Sequence, residues 1–192
     1  SGGNPLFITG LLKQLDNDSM SGPVAGVGLA IPTSLEEITR MRMDSLEPAA
    51  VKLVEYASCM GRTFDAVDLL SMKSVADPKD VLTSAIREGI IMPRGDRLEF
   101  THLLFRDLIY RDISPRWRAA YHKELGQYLE VAFAGNEDAV IYELARHFSR
   151  STDYAKAHVY CSKAGERAES EHAPAQALEM YKLALMALEK AD

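Results

Sequence analysis

Cysteine is scarce in this chain, with only Cys59 and Cys161 among 192 residues. So far apart, the two make neither a metal-ligand spacing nor a disulfide framework, which argues against a stapled extracellular scaffold and for a reducing cytoplasm. Long apolar runs are missing as well. No stretch reaches the roughly 20 residues a membrane span needs, and the start does not read as a signal peptide. Positive charge is in deficit, 22 Lys and Arg against 28 Asp and Glu, for a net charge of −6. Broad, sequence-independent nucleic-acid binding needs a basic footprint, so that class is disfavoured. A phosphate loop is absent too. Gly26 and Gly28 lack the Lys-Ser/Thr pair and the preceding strand such a loop requires. Without a phosphate cradle and a magnesium ligand there is no phosphoryl transfer, so this chain by itself is not expected to hydrolyse ATP. No Ser, Cys or Lys has a partnered base at a recognisable spacing, which leaves nucleophilic catalysis unsupported.

Apolar residues, by contrast, are plentiful at 47%, enough for a packed core. Pro5 suits a first helical position, and Leu6, Phe7, Leu11, Leu12 and Leu15 form a stripe that predicts a helix ending near residue 16. Residues 17–32 are rich in Gly and Ser and read as a linker. A helix is expected from Pro32 to Leu46, started by a capping box of Ser34 with Glu37 or, one residue earlier, Thr33 with Glu36. This makes Glu36-Glu37 a capping and solvated feature, not a catalytic carboxylate pair. Pro48 opens a second helix carrying Val51, Leu53, Val54, Ala57 and Met60, and Gly61 stops it. Asp65 is expected to cap a short helix through Leu70, and Asp77, with Pro78 behind it, another that runs to Glu88. Ile90-Ile91-Met92 and Leu98-Glu99-Phe100 read as two strands around Arg94-Gly95-Asp96, where Gly95 supplies a turn.

The stretch 97–113 predicts a strand running directly into a helix. Thr101 is the expected N-cap, Leu104, Phe105, Leu108 and Ile109 the apolar face, and His102 lies in the first turn, where free amides and the helix dipole favour an anion. Helix, helix, short helix, helix and hairpin over 33–113 is the order of a winged-helix domain, with the hairpin as its wing. From Ser114 the pattern changes. A long helix to about Phe133 is expected to place Trp117, Tyr121, Leu125, Tyr128, Leu129 and Ala132 mostly on one side. Gly135-Asn136 breaks it, and helices over roughly 137–150, 153–170 and 174–190 follow with short, antiparallel connections. The last two match a tetratricopeptide unit, with Ala164-Gly165 as the small pair and Ala177, Tyr181 and Ala184 in the second helix. A second register through Leu144-Ala145, Phe148, Ala157 and Ala164 fits equally well. The expected fold is therefore mainly α, a winged helix with a small β-hairpin followed by an antiparallel, tetratricopeptide-like array over 114–192.

Two motifs resemble the STAND class of signal-transduction ATPases, the NB-ARC-like group that includes bacterial regulators, some fused to nucleotide cyclases. Gly3-Asn4-Pro5-Leu6-Phe7 is similar to their Gly-x-Pro motif at the edge of the helical subdomain. Thr101-His102-Leu103-Leu104-Phe105-Arg106-Asp107-Leu108 is similar to their Met-His-Asp motif and its Leu-rich helix, with Leu103 where the family often has Asp. The resemblance implies that residues 1–16 close an ATPase helical subdomain. It further implies that Gly3 and Pro5 flank the adenine and that His102 contacts the β-phosphate of ADP. Cofactors would be ATP or ADP with magnesium, held by an upstream ATPase domain of the same chain, of which SGGNPLF reads as a continuation. A protein or small ligand would bind the repeats.

Against these stand plainer readings. Residue chemistry alone makes His102 a boundary histidine filling a helix start; the family motif puts phosphate sensing ahead. His122, His147, His158 and His172 share no face or ligand spacing, so structural roles and no metal site are expected. Arg94, Arg97, Arg106, Arg111, Arg116 and Arg118 form the one basic cluster, offset by Asp96, Glu99, Asp107 and Asp112, and read as a mixed-charge surface. Two other functions remain, a DNA-binding winged-helix regulator and a repeat scaffold without nucleotide. The first would need residues 78–88 as a basic recognition helix, yet Lys79 and Arg87 face Asp77, Asp80 and Glu88 there.

Overall fold

The computed structural model of the chain describes residues 35–73, 75 and 77–191. The expected helix over 1–16, the linker over 17–32, the capping residues Thr33 and Ser34, and the candidate nucleotide contacts Gly3 and Pro5 lie outside the described residues. What is described is mainly helical, with a small three-stranded antiparallel sheet.

Helix α1 spans Leu35–Asp44 and α2 spans Pro48–Met60. Pro48 starts α2 because its missing N–H would be unpaired there anyway. Ala50, Leu53, Val54 and Ala57 recur at helical spacing and are fully buried. Gly61, at φ +136, ends the helix in a conformation that disfavours a side chain. The chain then makes β1, Thr63–Asp65, a strand the sequence pattern does not predict. Three residues carry a single alternation, with only Phe64 inward, too little for a period of two to register. Helix α3 covers Ala66–Leu70 and α4 covers Pro78–Arg87. Asp65 and Asp77 stand at the two N-cap positions, but neither side chain makes the expected cap bond. Asp65 instead pairs with Arg97 across the sheet at 3.3 Å, and Asp77 takes a left-handed backbone at φ +47.

Strands β2 (Ile91–Arg94) and β3 (Arg97–Phe100) flank the Gly95 turn, and the sheet order is β1-β3-β2. Helix α5, Leu103–Asp112, follows directly. Its N-cap is His102, not Thr101 as expected. The Thr101 hydroxyl points back to the carbonyl of Gly89 at 2.8 Å, where it fastens the end of β3 to the approach to β2. Phe105 and Ile109 face the core, whereas Leu104 is 55% exposed. Helix α6, Pro115–Ala132, is capped by Ser114, whose oxygen accepts from the Trp117 N–H at 3.5 Å. Trp117 itself does not join the buried stripe. It is 53% exposed and stacks on Tyr121, while Tyr121, His122, Leu125 and Gly126 turn inward. A 3-10 turn, Glu137–Val140, leads into α7 (Ile141–Ser149), α8 (Tyr154–Ser170) and α9 (Pro174–Ala191).

One core joins α1 to α5 and the sheet, and Tyr121 and Leu125 of α6 belong to it, so it continues past Ile113. Two smaller clusters hold α7, α8 and α9 together. Their members are mostly small, among them Ala145, Ala157, Ala164, Ala184 and Ala187, so the helices pack closely. Among the described residues no helix is long and apolar enough to cross a membrane.

The closest approach is at Gly165, where an added Cβ would lie 2.5 Å from the Tyr181 ring. Gly165→Ala should therefore lower the stability by about 1–3 kcal/mol through overpacking. In a Tyr181→Ala background the same change should become neutral or stabilising by up to about 1 kcal/mol, as alanine is the better helix former. Urea unfolding of the four proteins of this cycle checks both signs.

Candidate functional site

His102 stands at the start of α5, exposed, with its backbone extended at φ −140 and ψ 135. Its carbonyl accepts from the N–H groups of Phe105 at 3.1 Å and Arg106 at 3.4 Å, and its ring lies 5.9 Å from that of Phe105. The side chain makes no cap bond to the helix. The backbone that carries it is firmly placed. Gly89, at φ +66, offers its carbonyl to Thr101 Oγ1 at 2.8 Å and to Arg42 Nη1 at 2.7 Å. The Arg42 guanidinium also lies over the Phe105 ring, 5.2 Å from its centre. The first turn of α5 is thus pinned to both α1 and the hairpin, with the imidazole directed outward beside Leu103 and Leu104, which are 47% and 55% exposed.

Four of the six clustered arginines, Arg94, Arg97, Arg106 and Arg111, are paired with carboxylates. Arg94 binds Glu99 at 2.8 Å, Arg106 binds Asp107 at 2.9 Å, and Arg111 binds both Glu36 at 3.1 Å and Asp112 at 3.2 Å. A cleft of about 130 Å³ between α1 and α5 is lined by Glu36, Arg40, Met43, Glu55, Leu108 and Arg111 among others. It is smaller than the roughly 300 Å³ at which small-molecule sites begin, and its charges are mixed.

A second polar centre has no sequence signature. His122 of α6 and His147 of α7, expected to share no face, are brought together with their Nδ1 atoms 2.9 Å apart, and both rings are buried. They sit 25 residues apart on neighbouring helices, so no spacing rule within one helix could pair them. The order of protons along this chain follows from its ends. Arg146 Nη2 lies 2.9 Å from His147 Nε2 and can only donate, so that nitrogen accepts. His147 Nδ1 then carries the ring proton and donates to His122 Nδ1. His122 Nε2 in turn donates to the Tyr110 hydroxyl at 3.0 Å.

The same Arg146 nitrogen donates to the Met60 carbonyl at 3.0 Å, and Arg106 Nε donates to the Ser58 carbonyl at 2.9 Å. These carbonyls belong to the last turn of α2, where helix geometry leaves them without partners. Tyr110 lies between two guanidiniums, Arg106 at 4.8 Å and Arg118 at 5.1 Å from its ring centre. Burial, then the cations Arg150 and Arg146, holds the His122 pKa down to about 3. Burial and Arg146 hold His147 well below its usual value as well. Among the described residues no group of three or more His, Cys, Asp or Glu is placed to hold a metal ion.

The sign of the resulting pH dependence is fixed. The folded pKa of His122 lies below the value near 6.5 that the unfolded chain has, so the unfolded state takes up the proton first as pH falls. Stability is fully present above pH 6.5 and is lost progressively below it, by about 2 kcal/mol at pH 5 for His122 alone. His147 acts in the same direction. Urea midpoints at pH 7.5 and pH 5 should show this loss, and His122→Gln together with His147→Gln should flatten it.

No family model, curated protein or solved structure matches this chain.

Proposed function

We propose that the chain is a regulatory, non-catalytic part of a STAND-type signalling ATPase. In this reading residues 33–113 are a winged helix that clamps the ADP-bound state, and residues 114–192 are tetratricopeptide-like repeats that bind a protein or small-ligand partner. The succession of two helices, a short strand, two helices and a hairpin supports the winged helix. The seat of Tyr181 on Gly165, with Ala177 and Ala184 buried beside it, supports the repeat. The observation that carries the proposal is the setting of His102, an exposed imidazole at a pinned helix start just after the hairpin. A histidine there can donate to a phosphate that the helix N-terminus also attracts.

In such a protein the upstream ATPase domain of the same chain would hold ATP or ADP with magnesium. Gly3 and Pro5 would border the adenine and His102 the β-phosphate. A ligand at the repeats would act by favouring one of two states of this clamp. Changing His102 to Ala in the full-length parent should speed ADP release and raise basal activity. Unchanged ADP retention together with unchanged basal activity would count against the nucleotide reading and for a plain scaffold.

The winged helix is not proposed to read DNA. Arg87 of α4 is bridged to Glu88 at 3.7 Å, and Lys79 is followed by Asp80 on the exposed face. Phosphates would be repelled by this helix about as much as attracted. In a gel-shift or anisotropy titration at physiological salt, duplex DNA should show no binding; tight, salt-sensitive binding would overturn this.

A further inference from the structure

The buried histidine pair lies where α7 meets α2, α5 and α6, and every ring nitrogen of the pair is already in use. The hydrogens run in one direction, from Arg146 through His147 and His122 to Tyr110. A further proton must therefore land on a nitrogen that now accepts. On His122 Nδ1 it would face the N–H of His147 across 2.9 Å. On His147 Nε2 it would face the N–H of Arg146, also across 2.9 Å. Either way a hydrogen bond turns into a contact between two donors.

The surroundings give such a proton no compensation. Arg106 faces the pair from α5, Arg118 from α6, Arg146 from α7, and Arg150 from just past the end of α7. From α2 come the Ser58 and Met60 carbonyls, already taken by guanidiniums, and the Cys59 thiol, which burial keeps protonated. Glu55 of α2 is held by the Tyr121 hydroxyl at 2.9 Å. The charges acting most strongly on both rings are thus all positive, and none comes from α8. The opposite end of the α6 contact is tied separately, where Glu130 accepts from Lys156 and from the Tyr160 hydroxyl of α8. The connection from α6 to α7 passes through Gly135 at φ +82.

We propose that the His122–His147 contact is a proton-operated clasp. It is closed while both rings are neutral. In mildly acidic solution it opens, and the C-terminal end of α7 swings away from α2 while the Glu130 end stays in place. The proposal does not depend on the nucleotide reading of His102.

Spin labels on R62C, just after α2, and T152C, just after α7, sit at exposed positions just beyond the two helices the proposal separates. Pulsed dipolar spectroscopy on the full chain should give a single short distance at pH 7.5. At pH 5 it should give a second, longer distance that disappears on return to pH 7.5, with the far-ultraviolet helix signal unchanged throughout. The open-to-closed ratio should rise by up to about tenfold per pH unit for each ring below pH 6.5, hence up to about 1000-fold at pH 5. Imidazole ¹⁵N shifts of the unaltered protein should show both rings charging over the same interval. Adding H122Q and H147Q to the labelled chain should hold it closed at both pH values. An unchanged distance at pH 5, a lengthening that comes only with loss of helix, or a lengthening without ring charging would each overturn the proposal.

Discussion

The C-terminal end of α2 is the constraint on which the rest of the assembly hangs. Every α-helix finishes with carbonyls that its own backbone cannot satisfy, and here they are buried against other helices. Two guanidiniums solve the problem. Arg106 reaches Ser58 from 48 residues away and Arg146 reaches Met60 from 86 residues away. Each brings positive charge to the negative end of the α2 dipole. One comes from the helix that follows the hairpin and the other from α7. The same helix end therefore locates both α5 and α7.

The choice of partner has electrostatic consequences. A carbonyl cannot titrate, so pH acts on the links from Arg106 and Arg146 to α2 only indirectly, through the histidines beside them. The price is a gathering of half-buried cations, Arg106, Arg118 and Arg146, around the histidine pair. Burial lowers the Arg146 pKa, and the neighbouring Arg150 lowers it further. It also pushes the Cys59 thiol up to about 12, where it stays neutral. The two imidazoles are the groups here whose ordinary pKa lies near neutrality, and their protonation would add to an existing excess of one sign. Proton sensitivity is thus concentrated in one contact between α6 and α7.

Much of the helical framework could be read from the chain. Pro48, Pro78, Pro115 and Pro174 each begin a helix, and Gly61, Gly89 and Gly135 each lie where an element ends or turns with positive φ. These signals are local, and local chemistry is what a sequence displays. The failures are non-local. Strand β1 exists because Phe64 has Leu98 to pair with across the sheet, not because three residues prefer to be extended. Thr101 has the chemistry of a cap, yet the Gly89 carbonyl competes for its hydroxyl and wins because the hairpin brings it within 2.8 Å. Trp117 falls on the expected side of α6, but the core ends before its turn, so it covers Tyr121 from outside. His122 and His147 meet only because α6 and α7 lie side by side, a fact stored in no short pattern.

The contrast among the histidines separates motif from environment. His102 is carried by a recognisable stretch and is exposed, so its chemistry is available to something outside the described residues. His122 and His147 have no motif, and their chemistry is directed wholly inward. A single helix joins the two settings. Helix α5 begins at His102 and presents Tyr110 to His122 eight residues later, about 12 Å along its axis. Its first turn is held twice, by Arg42 over the Phe105 ring and by Arg106 on the α2 carbonyl. The two settings are thus joined by one helix, whose start is held against α1 and α2 and whose far end meets the buried pair.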